Sequence, residues 1–392
     1  MNSIADHVVT TLQRQFGGLA PVALHEPNLT GEEGKFALDC INTGWVSSAG
    51  SYVDQFEKDL AAITGVRRAV AIVNGTAALH LALHLVGVRR DDEVLIPTLS
   101  FVATANACQY LGAVPHFIDS CEATLGVDPN KLGEYLHEVA ERTDEGCRNK
   151  KTGRIIRALV PMHTFGHPVD MDPLLEICHA YDIEMVEDAA ESLGSYSQGR
   201  HTGRSGRVSA LSFNGNKIVT TGGGGALLIN DDELADLAKH LSTTAKLPHP
   251  YLFQHDQLGF NYRMPNINAA LGCGQLKRLE GFLENKRQLL KIYQGMFSGV
   301  DGVRIFKEPA GAKSNYWLQV LLLDKADLAQ RDDILERTNS AKIMTRPAWE
   351  LLSCLPFYEN CPRMDLSGAE DLAARIITLP SSPSLTEKLK RL

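Results

Sequence analysis

The middle of the chain alternates short apolar runs with segments whose apolar residues recur at helical spacing. This alternation between residues 69 and 230 is typical of βαβ units, which build a largely parallel sheet covered by helices. Pro97 and Pro161 directly follow two of the runs and end them. The pattern predicts strands at residues 69–73, 93–96, 115–118, 155–160, 183–186, 208–213 and 226–229, and helices at residues 77–86, 104–112 and 173–181.

The alternation loosens in the last third of the chain. A helical pattern covers residues 268–297, residues 316–323 predict one more strand, and the remainder is mixed α+β. The sequence at 245–260 is irregular, so we expect a domain boundary there. The prediction is an N-terminal segment with a large domain over residues 1–250, and a small C-terminal domain over residues 251–392.

One polar stretch interrupts the alternation. Residues 141–154 carry charges of both signs, and Cys147 is their only apolar residue. Such a stretch is typical of a solvated surface segment. We therefore predict a connection without chemistry.

The composition is that of an ordinary globular protein. Of the 392 residues, 44% are hydrophobic and 22% are charged, which argues against disorder, collagen-like repeats and coiled coil. With 39 Lys and Arg against 47 Asp and Glu, the formal net charge is −8. Such a chain lacks the positive field that supplies sequence-independent affinity for nucleic acid. Nucleic acid is therefore not expected as a partner.

The apolar runs and the N-terminal sequence predict a cytoplasmic protein. No apolar run approaches the ~18 residues needed to cross a bilayer, so no contact with a membrane is expected. The first residues, MNSIADHVVTTLQRQFGG, contain Asp6, His7 and Arg14 among the apolar positions. They therefore lack the basic tip and the unbroken apolar core of a signal peptide.

Neither the cysteines nor the histidines predict a metal site. The eight cysteines are too sparse for a disulfide scaffold and include no Cys-x-x-Cys pair, so we expect most of them to be reduced and buried. His163 and His167 have the i, i+4 spacing of a helical zinc motif. Gly166 and Pro168 would break such a helix, and no Glu follows His163.

A glycine turn joins the first predicted strand to its helix. Its sequence is Val73-Asn74-Gly75-Thr76-Ala77. Unpaired N–H groups at a helix N-terminus, with a Thr hydroxyl beside them, form an anion site suited to phosphate. The alternative is that Thr76 only caps the helix. The turn by itself does not decide between the two.

An acidic pair, Glu187 and Asp188, follows the predicted strand at 183–186. Ligands of open α/β sheets bind at the carboxyl ends of strands, so a carboxylate here is placed to meet one. Strand alternation does not show which of the two side chains points towards the ligand. Either could instead cap the following segment.

Lys217 lies in a loop between two predicted strands and is followed by four glycines at 222–225. Glycines allow close approach of a backbone or a ligand. The loop is not a Walker phosphate loop, because Lys217 follows Asn216 and precedes Ile218, and the glycines precede a strand and so do not form a dinucleotide fingerprint. The alternative is a solvated surface lysine.

A phosphate turn, a buried carboxylate and a lysine together indicate pyridoxal 5'-phosphate. In enzymes that use it, the lysine forms a Schiff base, the carboxylate keeps the pyridine nitrogen protonated and a helix N-terminus holds the phosphate. The order turn, aspartate, lysine is that of the type I, aspartate-aminotransferase-like fold. We therefore predict an α/β protein of this class, with a large, mostly parallel seven-stranded sheet domain and a smaller C-terminal α+β domain.

The sequence around these motifs resembles a known family. VEDAAESLGSYSQGRHTGRSGRVSALSFNGNKIVTTGGGGALLIND is similar to the core of the DegT/DnrJ/EryC1/StrS sugar aminotransferases, and GFNYRMPNINAALG resembles their downstream signature. The N-terminal motif LHEPNLTGEE…CINTGWVSSAGSYVDQFE and the C-terminal motif IMTRPAWELLSCLPFYEN resemble the branch that aminates 4-keto nucleotide sugars for legionaminic acid and bacillosamine. The resemblance runs through nearly the whole chain.

The resemblance implies roles for individual positions. Lys217 corresponds to the Schiff-base lysine, Asp188 to the partner of the pyridine nitrogen and Phe101 to the ring stacked on the cofactor. Glu191 stands where the family usually has Gln beside the phenolic oxygen. Because an ionised Glu would repel a phenolate, Glu191 is expected to be protonated or turned towards the substrate. The phosphate would be bound by Gly75, Thr76 and Ser212.

Further positions are implied at the substrate and between subunits. Asn261 resembles a residue that the neighbouring subunit donates to the phosphate, which implies a homodimer with shared active sites. A cation could meet a pyrophosphate, and an aromatic ring a base or a sugar. Candidates for these contacts are His163, Arg263, Arg346, Trp349 and Trp45, and a purely structural role is the alternative for each.

The predicted reaction is transamination, since family members with His in place of the lysine are dehydratases and this chain has Lys217. We predict transfer of the amino group of L-glutamate to C4 of a UDP- or GDP-linked 4-keto-6-deoxy-N-acetylhexosamine, in surface-glycan biosynthesis. The alternatives are a regulatory protein that keeps the fold without turnover and an aminotransferase acting at another keto position. A nicotinamide dehydrogenase would need a glycine fingerprint that the sequence lacks.

Overall fold

Strands and helices follow the predicted pattern closely in the computed structural model, which describes residues 3–390. The strands are β1 (Arg68–Ile72), β2 (Glu93–Pro97), β3 (Val114–Ile118), β4 (Ala140–Thr143), β5 (Gly146–Asn149), β6 (Ile155–Leu159), β7 (Glu184–Asp188), β8 (Tyr196–Ser197), β9 (Arg200–His201), β10 (Val208–Ser212), β11 (Gly225–Ile229), β12 (Val303–Ile305), β13 (Ala312–Lys313), β14 (Gln319–Leu323), β15 (Arg346–Pro347) and β16 (Ile376–Leu379). The helices are α1 (Ile4–Phe16), α2 (Glu33–Thr43), α3 (Ser51–Thr64), α4 (Gly75–Leu85), α5 (Val102–Tyr110), α6 (Pro129–Val139), α7 (Met171–Tyr181), α8 (Asp232–Ser242), α9 (Asn266–Leu276), α10 (Leu279–Met296), α11 (Leu328–Ser340), α12 (Ser367–Arg375) and α13 (Leu385–Leu389). None of these helices is long and apolar enough to span a membrane.

The large sheet has nine strands, of which seven run in the order β1-β11-β10-β7-β6-β2-β3. Strands β10, β7, β6, β2 and β3 are parallel to one another, whereas β11 is antiparallel to both of its neighbours. Their side chains are largely buried, as expected where crossover helices cover both faces of a parallel sheet. The predicted fold class is confirmed.

The charged stretch at 141–154 is not the solvated connection that its composition predicts. Most of it belongs to the hairpin of β4 and β5, which extends the large sheet by pairing with β6. Cys147 and Asn149 are buried, while Arg148 between them forms an ion pair with Glu145 on the outer face. Buried and exposed side chains therefore alternate along the segment, as in an edge strand. The alternation is not evident in the sequence because so many of the exposed residues are charged.

A four-stranded antiparallel sheet, in the order β12-β14-β16-β15, forms the second unit. Helix α1 packs against it, since Leu12 and Phe16 share one apolar cluster with Tyr293 of α10 and Leu321 of β14. Helix α9, which follows residue 250, packs against α2 and α3, which precede it. Helix α1 precedes residue 250 but packs on the second unit. The division of the chain at residue 250 therefore stays a prediction.

One edge of the large sheet collects the elements that carry the predicted chemistry. Asp188 ends β7 directly opposite Ala210 of β10, and both strands run in the same direction. Ile72 ends β1 opposite Gly225, where β11 begins, and α4 starts three residues later. This is the carboxyl edge of the parallel strands, where α/β sheets bind their ligands.

Candidate active site

A cavity of about 320 Å³ opens at this edge of the large sheet. Most of the predicted site residues line it, although the chain carries them in five separate segments. The structure thus brings together the predicted phosphate turn, the carboxylate and the lysine. The predicted residues in the cavity wall are Gly75, Thr76, Phe101, Asp188, Glu191, Ser212, Lys217 and Trp349.

Helix α4 begins at the cavity wall. Its N-cap is Asn74, whose side-chain oxygen accepts a hydrogen bond from the Ala77 N–H at 2.8 Å and whose carbonyl accepts one from Ala78. The idea that Thr76 is the cap is therefore wrong. The N–H groups of Gly75 and Thr76 precede the first intrahelical bond, which leaves them to an anion at the positive end of the helix dipole.

Two glycines permit the close packing around this turn. A Cβ on Gly75 would lie 2.8 Å from the Cβ of Ser212. A Cβ on Gly225 would lie 2.5 Å from the carbonyl carbon and oxygen of Asn74. The turn, β10 and β11 therefore approach one another only because both positions lack a side chain. The hydroxyl of Ser212 comes next to the helix start, as a phosphate cradle requires.

Asp188 is the member of the acidic pair that lines the cavity. Its Oδ2 accepts a hydrogen bond from the Thr104 hydroxyl at 2.7 Å, and its Oδ1 accepts one from the Ala190 N–H at 3.2 Å. Burial raises the pKa of Asp188 above its ordinary value, and the bond from Thr104 offsets this only in part. A buried carboxylate of this kind is stabilised by a cation placed against it, such as a protonated pyridine nitrogen.

Glu187 lies behind the cavity with His163. Its carboxylate accepts hydrogen bonds from His163 Nε2 at 3.0 Å and from the N–H groups of Gly203 and Gly206 at 2.7 and 2.6 Å. Burial alone would raise the pKa of Glu187, but these bonds outweigh it and the pKa is lowered. His163 Nδ1 accepts from the Val169 N–H at 3.1 Å, so both ring nitrogens are engaged. The structure thus places His163 behind the cavity wall and not in it, and its contact with the substrate stays a prediction.

Lys217 is held between a carboxylate and an indole. Its Nζ lies 2.9 Å from Glu191 Oε1 and 4.0 Å from the centroid of the Trp317 ring. Trp317 is fixed in turn, because its Nε1 donates to the carbonyl of Asn216 at 2.7 Å. The alternative of a solvated surface lysine is wrong, since only 13% of the Lys217 side chain is exposed.

Glu191 is buried next to the lysine, and burial raises its pKa while the ion pair with Lys217 partly offsets the shift. Its second oxygen accepts the Phe165 N–H at 2.9 Å. Phe165 has a φ of 56°, a left-handed conformation that costs a residue with a side chain about 1 kcal/mol or more. The sequence predicts that Glu191 is protonated or turned towards the substrate. The structure shows Glu191 as the ion partner of Lys217.

Trp317 and Asn315 belong to the site although no sequence pattern indicated them. Asn315 Nδ2 donates to the carbonyls of Glu191 and Leu193 at 2.8 and 2.9 Å, and its Oδ1 accepts the Trp317 N–H at 2.8 Å. This buried amide therefore ties the chain around Glu191 to the indole that covers Lys217.

The remaining predicted residues lie outside the cavity. Asn261 and Arg263 are exposed, and Arg263 Nη2 donates to Asn261 Oδ1 at 3.0 Å. Arg346 lines a neighbouring cavity, and its Nη1 donates to Asn339 Oδ1 at 2.8 Å. Trp45 is exposed in a groove after α2. Their contacts with ligands stay predictions.

The cavity fits pyridoxal phosphate. The start of α4 and Ser212 would hold the phosphate, Asp188 the pyridine nitrogen, and Lys217 lies within the same cavity as the group that bonds the aldehyde. When bound, the cofactor supplies an electron sink that stabilises negative charge on the carbon bearing the amino group.

Comparisons with known proteins agree with this fit. The model of the DegT/DnrJ/EryC1/StrS aminotransferase family matches residues 27–391. EpsN of Bacillus subtilis (strain 168) is 37% identical over 372 residues, which cover 93% of this chain and 92% of EpsN. GDP-perosamine synthase of Escherichia coli O157:H7 is 34% identical over 368 residues, covering 94% and 95% of the two chains. The crystal structure of the aminotransferase TlmJ from Streptoalloteichus hindustanus matches with a TM-score of 0.82 at 30% identity, covering 92% of this chain and 93% of TlmJ. The chain therefore belongs to the DegT/DnrJ/EryC1/StrS family, and it is a pyridoxal-phosphate-dependent sugar aminotransferase.

Proposed function

We propose that the protein transfers the amino group of L-glutamate to C4 of a 4-keto-6-deoxy-N-acetylhexosamine linked to UDP or GDP. The observation that carries the proposal is the position of Lys217 Nζ, in one cavity with Asp188 and the start of α4. The 34% identity to GDP-perosamine synthase, whose name gives a GDP-linked sugar as its product, supports a nucleotide sugar as the amino acceptor.

The side chains of the cavity have distinct tasks in this reaction. Lys217 can take a proton from the Cα of the donor amino acid and return one to the acceptor carbon, as a general base and acid. Glu191, 2.9 Å from Nζ, stabilises the ammonium form that exists between these two steps. Trp317 covers the same Nζ at 4.0 Å and keeps water from that side.

We also propose a homodimer with shared active sites. Large apolar side chains are exposed in the loop between α8 and α9, where Tyr251, Phe253 and Leu258 are 79%, 81% and 83% exposed. Such concentrations of apolar surface mark protein interfaces. Asn261 and Arg263 lie in the same loop, shortly before α9, and are exposed as well. A second copy packed on the loop would receive these two polar groups at its phosphate site.

The branch that aminates 4-keto nucleotide sugars for legionaminic acid and bacillosamine is our proposal for the pathway. Its support is the position of the two flanking motifs. LHEPNLTGEE and IMTRPAWELLSCLPFYEN are far apart in the chain, yet His25 of the first and Arg346 and Trp349 of the second line one cavity beside the cofactor site. Motifs that meet at a ligand site are suited to select the substrate.

The test combines absorbance and product analysis. The purified, cofactor-loaded protein is mixed with L-glutamate and then with a panel of UDP- and GDP-linked 4-keto-6-deoxy sugars, and the products are identified by NMR. We expect the visible absorbance to bleach with glutamate and a 4-amino sugar to form, whereas Lys217→Ala should do neither. No response to glutamate would support the regulatory alternative, and amination at another carbon would support the alternative keto position.

A further inference from the structure

A second cavity, of about 580 Å³, adjoins the cofactor cavity. The two cavities share three wall residues, Asn216, Trp317 and Trp349. The shared residues include the indole that lies over Lys217 Nζ. A molecule in the second cavity therefore lies next to the reacting lysine.

The N-terminal side of this cavity is fixed in place. The backbone around Val22 pairs with the segment before β15 through bonds from Val22 N–H to the Lys342 carbonyl at 2.8 Å and from Met344 N–H to the Val22 carbonyl at 2.9 Å. The Ser381 N–H donates to the Leu24 carbonyl at 2.7 Å. His25 is thus presented from a pinned backbone.

His25 has no hydrogen-bond partner for either ring nitrogen within residues 3–390, although both nitrogens are buried. Its ring lies beside Trp317, with centroids 6.4 Å apart. A buried polar group left unpaired costs about 1–3 kcal/mol, so proteins keep such groups where a ligand or a water satisfies them. Burial lowers the pKa of His25 well below its ordinary value, and the nearby Lys286 and Lys217 add to the shift. The imidazole is therefore neutral and offers one donor and one acceptor.

The rest of the wall decides which part of a nucleotide sugar fits. Phe165, Trp317 and Trp349 contribute aromatic rings, and Arg346 at the exposed rim is the only charged residue among the described residues that line this cavity. Aromatic faces pack against the C–H face of a sugar ring, whereas phosphates call for cations. The interior suits an uncharged, hydroxylated ring and not a diphosphate.

We propose that the second cavity is the hexose subsite and that His25 determines specificity there by hydrogen bonding an uncharged hydroxyl or acylamino substituent of the sugar. The inference rests on the proposed function, because it assigns the acceptor sugar to this cavity. It predicts that the two half-reactions depend differently on His25, because the contact is made to a substituent that the sugar carries and glutamate lacks.

The experiment measures the two half-reactions separately. His25→Phe keeps a planar ring and removes both nitrogens, His25→Gln keeps one donor and one acceptor, and Glu26→Gln on the same segment is the control. The loaded variants are mixed in single turnovers with L-glutamate alone or, in the aminated form, with the keto sugar that the wild type accepts. Binding of the non-reactive 4-hydroxy nucleotide sugar is measured by calorimetry.

We expect His25→Phe to lower kcat/KM for the sugar half-reaction, and to weaken binding of the 4-hydroxy sugar, by about 10- to 100-fold. The glutamate half-reaction should stay within about twofold of wild type, and His25→Gln should recover most of the loss. An unchanged sugar half-reaction in His25→Phe, or an equal loss in both half-reactions, would overturn the inference alone. A wild type that reacts with glutamate but with no keto sugar would overturn the proposed function and this inference together.

Discussion

Replacing Gly225 by Ala tests whether the phosphate site depends on backbone packing between β11 and the turn before α4. Gly225 pairs with Ile72 of β1 on one side and with Ser212 of β10 on the other. Its Cα cannot move away without breaking hydrogen bonds on both sides. The added Cβ would lie 2.5 Å from the carbonyl carbon and oxygen of Asn74 and 2.8 Å from the nitrogen of Gly75, and these backbone atoms cannot rotate out of the way.

The size of the effect follows from these distances. An ordinary Cβ contact begins at 3.4 Å, so the turn must retreat by about 1 Å. Overpacking of this kind costs about 1–3 kcal/mol, and strain on the Asn74 cap adds up to about 1 kcal/mol. We expect the free energy of unfolding to fall by about 2–4 kcal/mol. Misplacing one N–H that binds the phosphate costs about 1.5–3 kcal/mol, which weakens cofactor binding about 10- to 100-fold.

Two measurements check the prediction, with a second glycine variant, in the loop between β10 and β11, as the control. Urea denaturation of the apoprotein gives the free energy of unfolding, and a fluorescence titration with pyridoxal phosphate gives the dissociation constant. Gly215→Ala is the control, because the nearest atom to its Cβ is the Gly222 carbonyl oxygen at 4.0 Å. The control should stay within about 0.5 kcal/mol of wild type. If Gly225→Ala folds and binds the cofactor like Gly215→Ala, the packing argument is refuted.

Three other substitutions test the carboxylates. Asp188→Asn should lower kcat/KM with glutamate by roughly 100- to 1,000-fold, since it removes the charge that faces the cofactor, and a near-normal rate would assign that role elsewhere. Glu187→Gln should lower the free energy of unfolding by about 3–5 kcal/mol at pH 7. Because the pKa of Glu187 is lowered on folding, its stabilising contribution is present above pH 4.5 and is lost as the pH falls. The difference in free energy of unfolding between wild type and variant, measured in urea titrations, should therefore become smaller in acid. Glu191→Gln should show the opposite slope, because a pKa raised on folding contributes stability below pH 4.5 that is lost as the pH rises, and identical slopes for the two variants would contradict both assignments.

The site residues that sequence patterns can find are those whose chemistry is local. Gly75 lies three residues after the end of β1, Asp188 is the last residue of β7, and Lys217 lies in a loop marked by glycines. The choice between Glu187 and Asp188 was beyond the pattern for a physical reason. Helices cover both faces of the sheet, so both side chains are buried. The alternation of side chains along the strand therefore does not distinguish a buried residue from an exposed one here.

Trp317 and His25 show what such patterns miss. The apolar run at 316–323 predicts a strand from its first residue, but β14 begins only at Gln319. Tyr316 has a φ of 48°, a left-handed conformation that interrupts the extended backbone before β14, and the ring of the next residue, Trp317, lies over Lys217. Neither this backbone reversal nor the pairing that brings His25 to the same cavity leaves a mark on the hydropathy of the sequence, since both are set by tertiary contacts.

Asn315 also bears on how the molecule moves. It is bonded on one side to the carbonyls of Glu191 and Leu193, beyond the end of β7, and on the other to the N–H of Trp317, which leads into β14 of the small sheet. A hinge between the two sheets at this seam would break the two buried hydrogen bonds that Asn315 Nδ2 donates across it, each worth about 1 kcal/mol or more. Asn315 therefore acts as a clamp between the two units: removing its amide would free the chain beyond β7 from the segment that carries Trp317.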